Sequence, residues 1–484
     1  MSLGMCLACK PQVCINHYNS NKYCWKVLRL NCFVYIFSGG TGKTYVIKTA
    51  IADVRSQGGI ALAMATSGIA GTLLPGGTTV HAKLQVPIDL TETSKCSYKE
   101  NSGTAEAIRK AKLMVIDEVT QGDKFLFETV DRSLRVTKDC DKPFGGITTI
   151  VAGDWMQCLP VVKRGGKAEI LNRTFKKSKL WKMVKAFNLT QNMRLKNSSD
   201  PEERAFNEWL LRVGEGRGEN HPDFGNADMI RIPDKFKSKT ANIKEFCHEI
   251  FPDLANVIEN GLKNHQSDPE WVNYLVERAI LCPTNKDCEE VNRACMDMVP
   301  GQPMVYRSSD KILNPTKAVQ FPTEYLNHVT SSGMPDHVLV LKRGSPIMLL
   351  RNMDKKNGHV NGARYVVIDM KPKLIYALGI GESNKGKILL IPRIIFHPKD
   401  PEIPLEMERR QFPVRPCFAM TSNKAQGQTL NIVGINLTHE FFGHGQLYVG
   451  VSRSTSSKGL KIFKPVTAVY PNHMVNVVYQ EVLQ

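Results

Sequence analysis

No run of this 484-residue chain approaches the ~20 consecutive apolar residues that cross a bilayer, so a membrane partner is not expected. Low-complexity tracts, internal repeats and a secretory signal are also missing, and 42% hydrophobic with 23% charged residues is a folded, not a disordered, composition. The thirteen cysteines are scattered and odd in number, which excludes a disulfide framework and points to reduced thiols in the cytosol or nucleus. Cys6-x-x-Cys9 with Cys14, Cys24 or His17 lacks the paired second half of a zinc finger or ribbon. Acidic residues are scarce. With Asp+Glu at 46 and Lys+Arg at 64 the net charge is +18 and the pI about 9.3, which favours a polyanionic partner, nucleic acid before membrane. Solubility alone is the competing explanation of that charge. At ~150 residues per domain, the length suggests two or three domains.

What is present begins with Gly39-Gly40-Thr41-Gly42-Lys43-Thr44. Its glycines let backbone N–H groups wrap phosphate oxygens, Lys43 can reach the β- and γ-phosphates, and Thr44 can hold Mg²⁺ at the start of a helix. Behind the loop, Val46, Ile47, Ala50, Ile51 and Val54 mark one face of that helix, and Gly58-Gly59 end it. Apolar runs follow at Ile60–Ala65, Leu113–Ile116 and Thr148–Ala152, each with polar residues at its C-terminal end: Thr66-Ser67, Asp117-Glu118, and Gly153-Asp154 with Gln157 just beyond. This pattern predicts an open parallel α/β sheet whose site lies along one edge. Residues 197–275 read as a polar, partly helical connector. A second α/β segment starts at Arg278–Leu281 and resumes at Phe418–Thr421, and the alternating β-formers of 335–412 between them predict a small β-barrel insert. The expected organisation is an unassigned leader at 1–38, a first lobe at 39–196 with a small insert near 84–108, the connector, and a second lobe at 276–484.

Hydrolysis of a γ-phosphate needs a phosphate cradle, a metal, an oriented water and positive charge for the transition state. Gly39, Gly40, Thr41, Gly42, Lys43 and Thr44 supply the cradle for ATP, and Thr44 and Asp117 are the candidate holders of Mg²⁺. Glu118 can orient or deprotonate the attacking water, and Gln157 is placed to sense the γ-phosphate. Arg194 and Arg453 are candidate arginine fingers, because a guanidinium forks onto phosphoryl oxygens where a lysine cannot. Taken alone, an acidic pair after an apolar run is also found as a solvated strand end, and a lone arginine is mostly surface charge.

Further motifs surround these residues. They include Thr66-Ser67-Gly68-Ile69-Ala70 with Gly76-Gly77-Thr78-Thr79-Val80-His81, Gly153-Asp154-Trp155-Met156-Gln157, and Asn192-Met193-Arg194-Leu195. Phe321-Pro322-Thr323-Glu324-Tyr325-Leu326-Asn327, Arg351-Asn352 with Asn361-Gly362, Gln411-Phe412-Pro413, Ala419 to Thr429 and His444 to Val449 with Ser452-Arg453 complete the series. In this order they resemble a superfamily 1B helicase of the PIF-one family, especially the helicase part of Helitron transposons, over roughly residues 39–465. The resemblance implies two RecA-like P-loop lobes with ATP between them. It also implies single-stranded DNA across their tops and 5′-to-3′ stepping that unwinds duplex DNA. Thr66, His81 and Lys424 match DNA-contacting positions, and Gly427 and Gln428 lie in the segment that joins DNA to nucleotide. DNA repair, recombination and telomere roles, and a nuclear location, follow from resemblance alone.

The chain departs from the family at Phe37-Ser38, where relatives place Gly-Pro, and residues 1–36 show no Gln-containing adenine-recognition segment. A bulky residue in a left-handed backbone costs about 1–2 kcal/mol. Residues 1–38 are therefore expected to be translated non-coding sequence, with Val34–Phe37 as the buried strand before the loop being the other reading. Two other functions stay open: a P-loop ATPase acting on RNA, and a DNA-binding transposon remnant with a damaged nucleotide site. No His-x-His pair occurs among the twelve histidines, so a rolling-circle nuclease of the transposon kind is not expected on this chain.

Overall fold

The apolar runs become strands of two parallel sheets, one in each of two units. The computed structural model describes residues 32–37, 41–189, 200–220, 227–263, 270–313, 321–331, 333–355, 357–381, 384–398 and 406–484. One unit comprises residues up to Asp200 together with Tyr479–Gln484, the other Pro201–Val478.

In the first unit the strands are β1 Cys32–Phe37, β2 Ile60–Ala65, β3 Thr78–Thr79, β4 Ala111–Asp117, β5 Thr148–Gly153 and β6 Lys185–Leu189. They pair in the order β3-β2-β4-β5-β1-β6, every pair parallel. β2, β4 and β5 are buried almost end to end, as strands covered on both faces must be. The helix Lys43–Ser56 sets Val46, Ile47, Ala50, Ile51 and Val54 against Ala63, Val115, Ile150 and Ala152, the face its periodicity predicts. Gly58, at φ 72°, turns the chain out of it.

β1 draws the end of the expected leader into this sheet. Cys32–Ile36 pair with Thr149–Gly153 on one side, and Phe33–Phe37 with Lys185–Leu189 on the other. Phe37 therefore continues an extended ladder, and the left-handed penalty does not arise there. Phe-Val-Tyr-Ile-Phe is a run of β-formers, which is what a strand between two others requires. Cys6, Cys9, Cys14, His17 and Cys24 lie outside the described residues.

The second unit has a parallel sheet in the order Ala419–Thr421, Arg278–Cys282, Ile432–Asn436, Leu460–Phe463. Thr284 and Asp287 cap the helix Asn285–Met298 that follows the second of these, each side chain bonding the other residue's backbone N–H. Much of the expected connector belongs to this unit. Helices Ile243–Ile250, Leu254–Lys263 and Glu270–Val276 bury Phe246, Ile258, Trp271 and Leu275 in the same core as Ile280 and Val291. Ala227–Arg231 pairs antiparallel with His473–Val477. The β-rich insert is present as open antiparallel sheets, one of five strands running from Ile388–Pro392 to Val414–Pro416 and one of three centred on Met407–Gln411. Among the described residues no pairing closes them into a barrel. Arg409, 1% exposed, pairs with Asp310 at 2.8 Å and donates to the carbonyls of Leu326, Val329 and Pro335, which ties the helix Thr323–His328 to the insert. The end of the expected second lobe, Tyr479–Gln484, belongs to the first unit, where Lys176 Nζ donates to the Val482 carbonyl at 2.7 Å.

Candidate functional site

The C-terminal edge of the first sheet gathers the predicted chemistry because β1, β4 and β5 end side by side and point the same way. Between β1 and its helix, Thr41 is buried and Gly42 adopts φ 88°, a left-handed turn that suits glycine. Gly39 and Gly40 lie outside the described residues, as does Arg194. Thr44 occupies the first helical turn. Lys43 Nζ lies 3.0 Å from Asp117 Oδ1 and 2.7 Å from Glu118 Oε1. Burial alone would lower the lysine's pKa, but the two carboxylates outweigh it and hold the ammonium above its ordinary value. Burial raises the Asp117 carboxyl, Lys43 opposing and Glu118 adding to the shift.

Glu118 follows the strand at φ 56° and ψ 45°, a left-handed conformation that costs a non-glycine residue about 1–2 kcal/mol. Three bonds hold it there. Its N–H donates to Asp117 Oδ1 at 2.8 Å, and its carbonyl accepts from Thr66 Oγ1 at 2.7 Å and from the Gln121 N–H at 3.2 Å. Gly153, at the end of β5, leaves room for this turn, since a Cβ there would stand 2.6 Å from Val119 Cγ1. Beyond it Gln157 Nε2 donates to Asp154 Oδ2 at 3.0 Å, while Gln157 Oε1 is buried and has no partner among the described residues. Burial pushes the Asp154 carboxyl up to about 6, against the bond from Gln157 and the attraction of Lys43. Asp154 was not singled out from sequence, although its place three residues before Gln157 at a strand end was the available signal.

Thr66 is not the cap of the helix Gly68–Thr72, because Ser67 accepts the Ala70 N–H at 3.3 Å. His81 is half-buried in the short helix Val80–Lys83, with its pKa lowered by burial.

The second unit carries another cluster. Arg453 donates through Nε to the Val449 carbonyl at 3.0 Å and through a terminal nitrogen to the Gln428 carbonyl at 3.1 Å. Gln428 Nε2 in turn donates to the Lys424 carbonyl at 3.2 Å, and Gly427 makes the turn between them at φ 80°. The pKa of Lys424 is lowered, chiefly by desolvation with Arg415 adding to the effect, and both line a cavity of about 740 Å³ whose charged lining mixes Arg293 and Arg307 with Glu289, Asp297, Glu324 and Asp336. Gly427, Gln428, Lys424 and Arg453 thus form one local group.

Among the described residues no three His, Cys, Asp or Glu side chains gather as a metal cage. Thr44 and Asp117 are nonetheless hard oxygen donors beside the loop, and this fits Mg²⁺ of the kind held by one or two protein oxygens plus phosphates.

A family model described as PIF1-like helicase matches residues 26–223, and one described as DNA helicase Pif1, 2B domain, matches residues 324–370. The chain belongs to the PIF1-like helicase family. The first match takes in β1, the glycine-rich loop and the acidic pair; the second takes in part of the β-rich insert. The ATP-dependent DNA helicase PIF1 of Danio rerio is 27% identical over 440 residues, 88% of this chain and 57% of its own length. That of Homo sapiens is 26% identical over 443 residues, 90% of this chain and 59% of its own length. The chain therefore spans under two thirds of these relatives. The crystal structure of Bacteroides Pif1 bound to ssDNA superposes with a TM-score of 0.64 at 22% identity, covering 92% of this chain and 91% of that one, so the two share a fold. With it, the parallel sheets of the two units are the RecA-like lobes expected of PIF1-like helicases.

Proposed function

We propose that the chain is an ATP-dependent DNA helicase motor that couples hydrolysis to 5′-to-3′ movement along single-stranded DNA and to duplex unwinding. The observation that carries this reading is the pairing of Lys43, beside Gly42, with the buried Asp117 and Glu118 carboxylates at the end of β4, in a PIF1-like fold. Lys43, released from the carboxylates, is the cation for the β- and γ-phosphates. Glu118 then accepts the proton of the attacking water, and the buried Gln157 Oε1 is an acceptor that can orient that water. Thr44 and Asp117 would hold Mg²⁺, which supplies charge neutralisation on the phosphate oxygens. Arg453 and Arg194 are the proposed transition-state cations, and Gly427 and Gln428 the proposed link from nucleotide to DNA. Lys424 and Arg415, with His81, are the side chains assigned to the DNA backbone. A role in DNA repair, recombination and telomere maintenance, with the nucleus as the place of action, is proposed from the family resemblance alone. Among the described residues no helix is long and apolar enough to cross a membrane.

The test is ATP turnover with and without a single-stranded oligonucleotide, followed by unwinding of 5′-tailed and 3′-tailed DNA duplexes and of an RNA duplex. DNA-stimulated turnover that is lost in Lys43→Ala, with unwinding of the 5′-tailed DNA alone, is expected. DNA binding without turnover would leave a non-catalytic remnant, and preference for the RNA duplex an RNA motor.

A further inference from the structure

We propose that Thr66 is a positioning residue for Glu118 and not a contact to DNA; this rests on the hydrolase reading above. A threonine has two donors, its hydroxyl and its backbone N–H. Both end on the acidic pair: Oγ1 donates to the Glu118 carbonyl at 2.7 Å and the N–H to the Asp117 carbonyl at 3.1 Å. A DNA phosphate only accepts, so neither donor of Thr66 can serve it without giving up one of these bonds. The side chain's methyl is also placed: a Cβ on Gly122 would come 3.1 Å from Thr66 Cγ2, so glycine there makes its room. Helix capping, the ordinary task of a threonine after a strand, falls to Ser67.

The consequence is geometric. Glu118 sits in a left-handed backbone that a glutamate does not choose, and its Cα–Cβ direction from there brings Oε1 to 2.7 Å from Lys43. A general base works only within hydrogen-bond reach of the proton it removes, and small misplacements lower the rate steeply. The Thr66 hydroxyl donates to the Glu118 carbonyl at 2.7 Å, the shorter of its bonds, beside the Gln121 N–H at 3.2 Å. Loss of that hydroxyl lets the turn relax and carries the carboxylate with it.

Thr66→Val and Thr66→Ser in the full chain test this through ATP turnover at saturating oligo-dT, oligo-dT affinity by fluorescence anisotropy, and affinity for a fluorescent ADP analogue. Thr66→Val is expected to lower kcat about tenfold or more while KM and both affinities stay within about twofold, and Thr66→Ser to restore kcat. Weaker oligo-dT binding with kcat intact at saturation would instead make Thr66 a DNA contact and overturn the assignment, as would an unchanged kcat. If Thr66→Val does not fold, Thr66→Ala is judged by the same criteria. Absence of turnover in the unmodified protein rejects the hydrolase reading itself, whereas normal turnover in both proteins rejects only the role of Thr66.

Discussion

Lys43 neutralises two carboxylates that are 5% and 6% exposed, so its removal leaves buried like charges facing each other. Breaking such a group from one side typically costs about 3–5 kcal/mol. Lys43→Ala should therefore lower the Tm as well as abolish turnover. The lysine's pKa is raised, so its contribution is fully present below the ordinary lysine value and is lost only as pH rises through the higher folded value. Between pH 5 and 8 Lys43 thus keeps its charge. In the variant the carboxyls, already shifted up at Asp117, take up protons more readily folded than unfolded, so the Tm deficit should shrink as the buffer moves from pH 8 to pH 5. A deficit that does not depend on pH would remove the like-charge explanation. Asp154 carries the complementary case. Its carboxyl is raised from 3.8 to about 6, so its buried charge penalises folding above 6 and that penalty is relieved as pH falls toward 3.8. Turnover runs the other way: below about 6 a protonated Asp154 competes as a donor and loosens its hold on Gln157 Nε2, with Lys43 and Glu118 the charges that tune the midpoint. A rate profile with a limb near pH 6 that disappears in Asp154→Asn is the expected result.

Among the elements, β1 has the most testable place. It is paired on both sides, so a proline within it removes a ladder donor with no solvent edge to replace it. Val34→Pro should cost the first unit about 2–3 kcal/mol and expose it to proteolysis while the second unit resists. An unfolding transition of the first unit unchanged by this substitution would detach β1 from the sheet. How much could be read beforehand follows the physics of each element. The helix face Val46 to Val54 was legible because burial has a 3.6-residue period, and the acidic pair because a buried strand ended on it. The position of β1 was not, since its neighbours β5 and β6 lie more than a hundred residues downstream and local pattern does not reveal pairing. The helices within 197–275 looked like a connector because their apolar stripes are narrow and set among charges, although Phe246, Ile258 and Trp271 are core residues. Arg409 reads as surface charge and is 1% exposed, its burial made possible by Asp310 and four carbonyls that sequence does not show to be near. Thr66 was legible as a functional position but not in its partner, because that bond depends on a left-handed turn at Glu118.

For the molecule as a whole, the charge of +18 makes a claim that no single contact does. If single-stranded DNA is held by basic side chains on its phosphates, each neutralised phosphate releases condensed counterion, and log affinity falls with log salt at about −0.7 per phosphate. Lys424, Arg415, Arg293 and Arg307 line one cavity, beside Glu289, Asp297, Glu324 and Asp336, and are candidate members of that set. Oligo-dT affinity measured between 50 and 200 mM salt should therefore drop steeply, with a slope corresponding to about four or more phosphates. Arg415→Ala should weaken binding at every salt concentration and reduce the slope by somewhat less than one, while ATP turnover at saturating DNA is retained. Thr66→Val, by contrast, removes no cation and should leave the slope where it was. If the unmodified protein shows a flat salt dependence, its basic balance serves solubility and not a polyanion, and the motor must hold its strand by stacking on aromatic side chains instead.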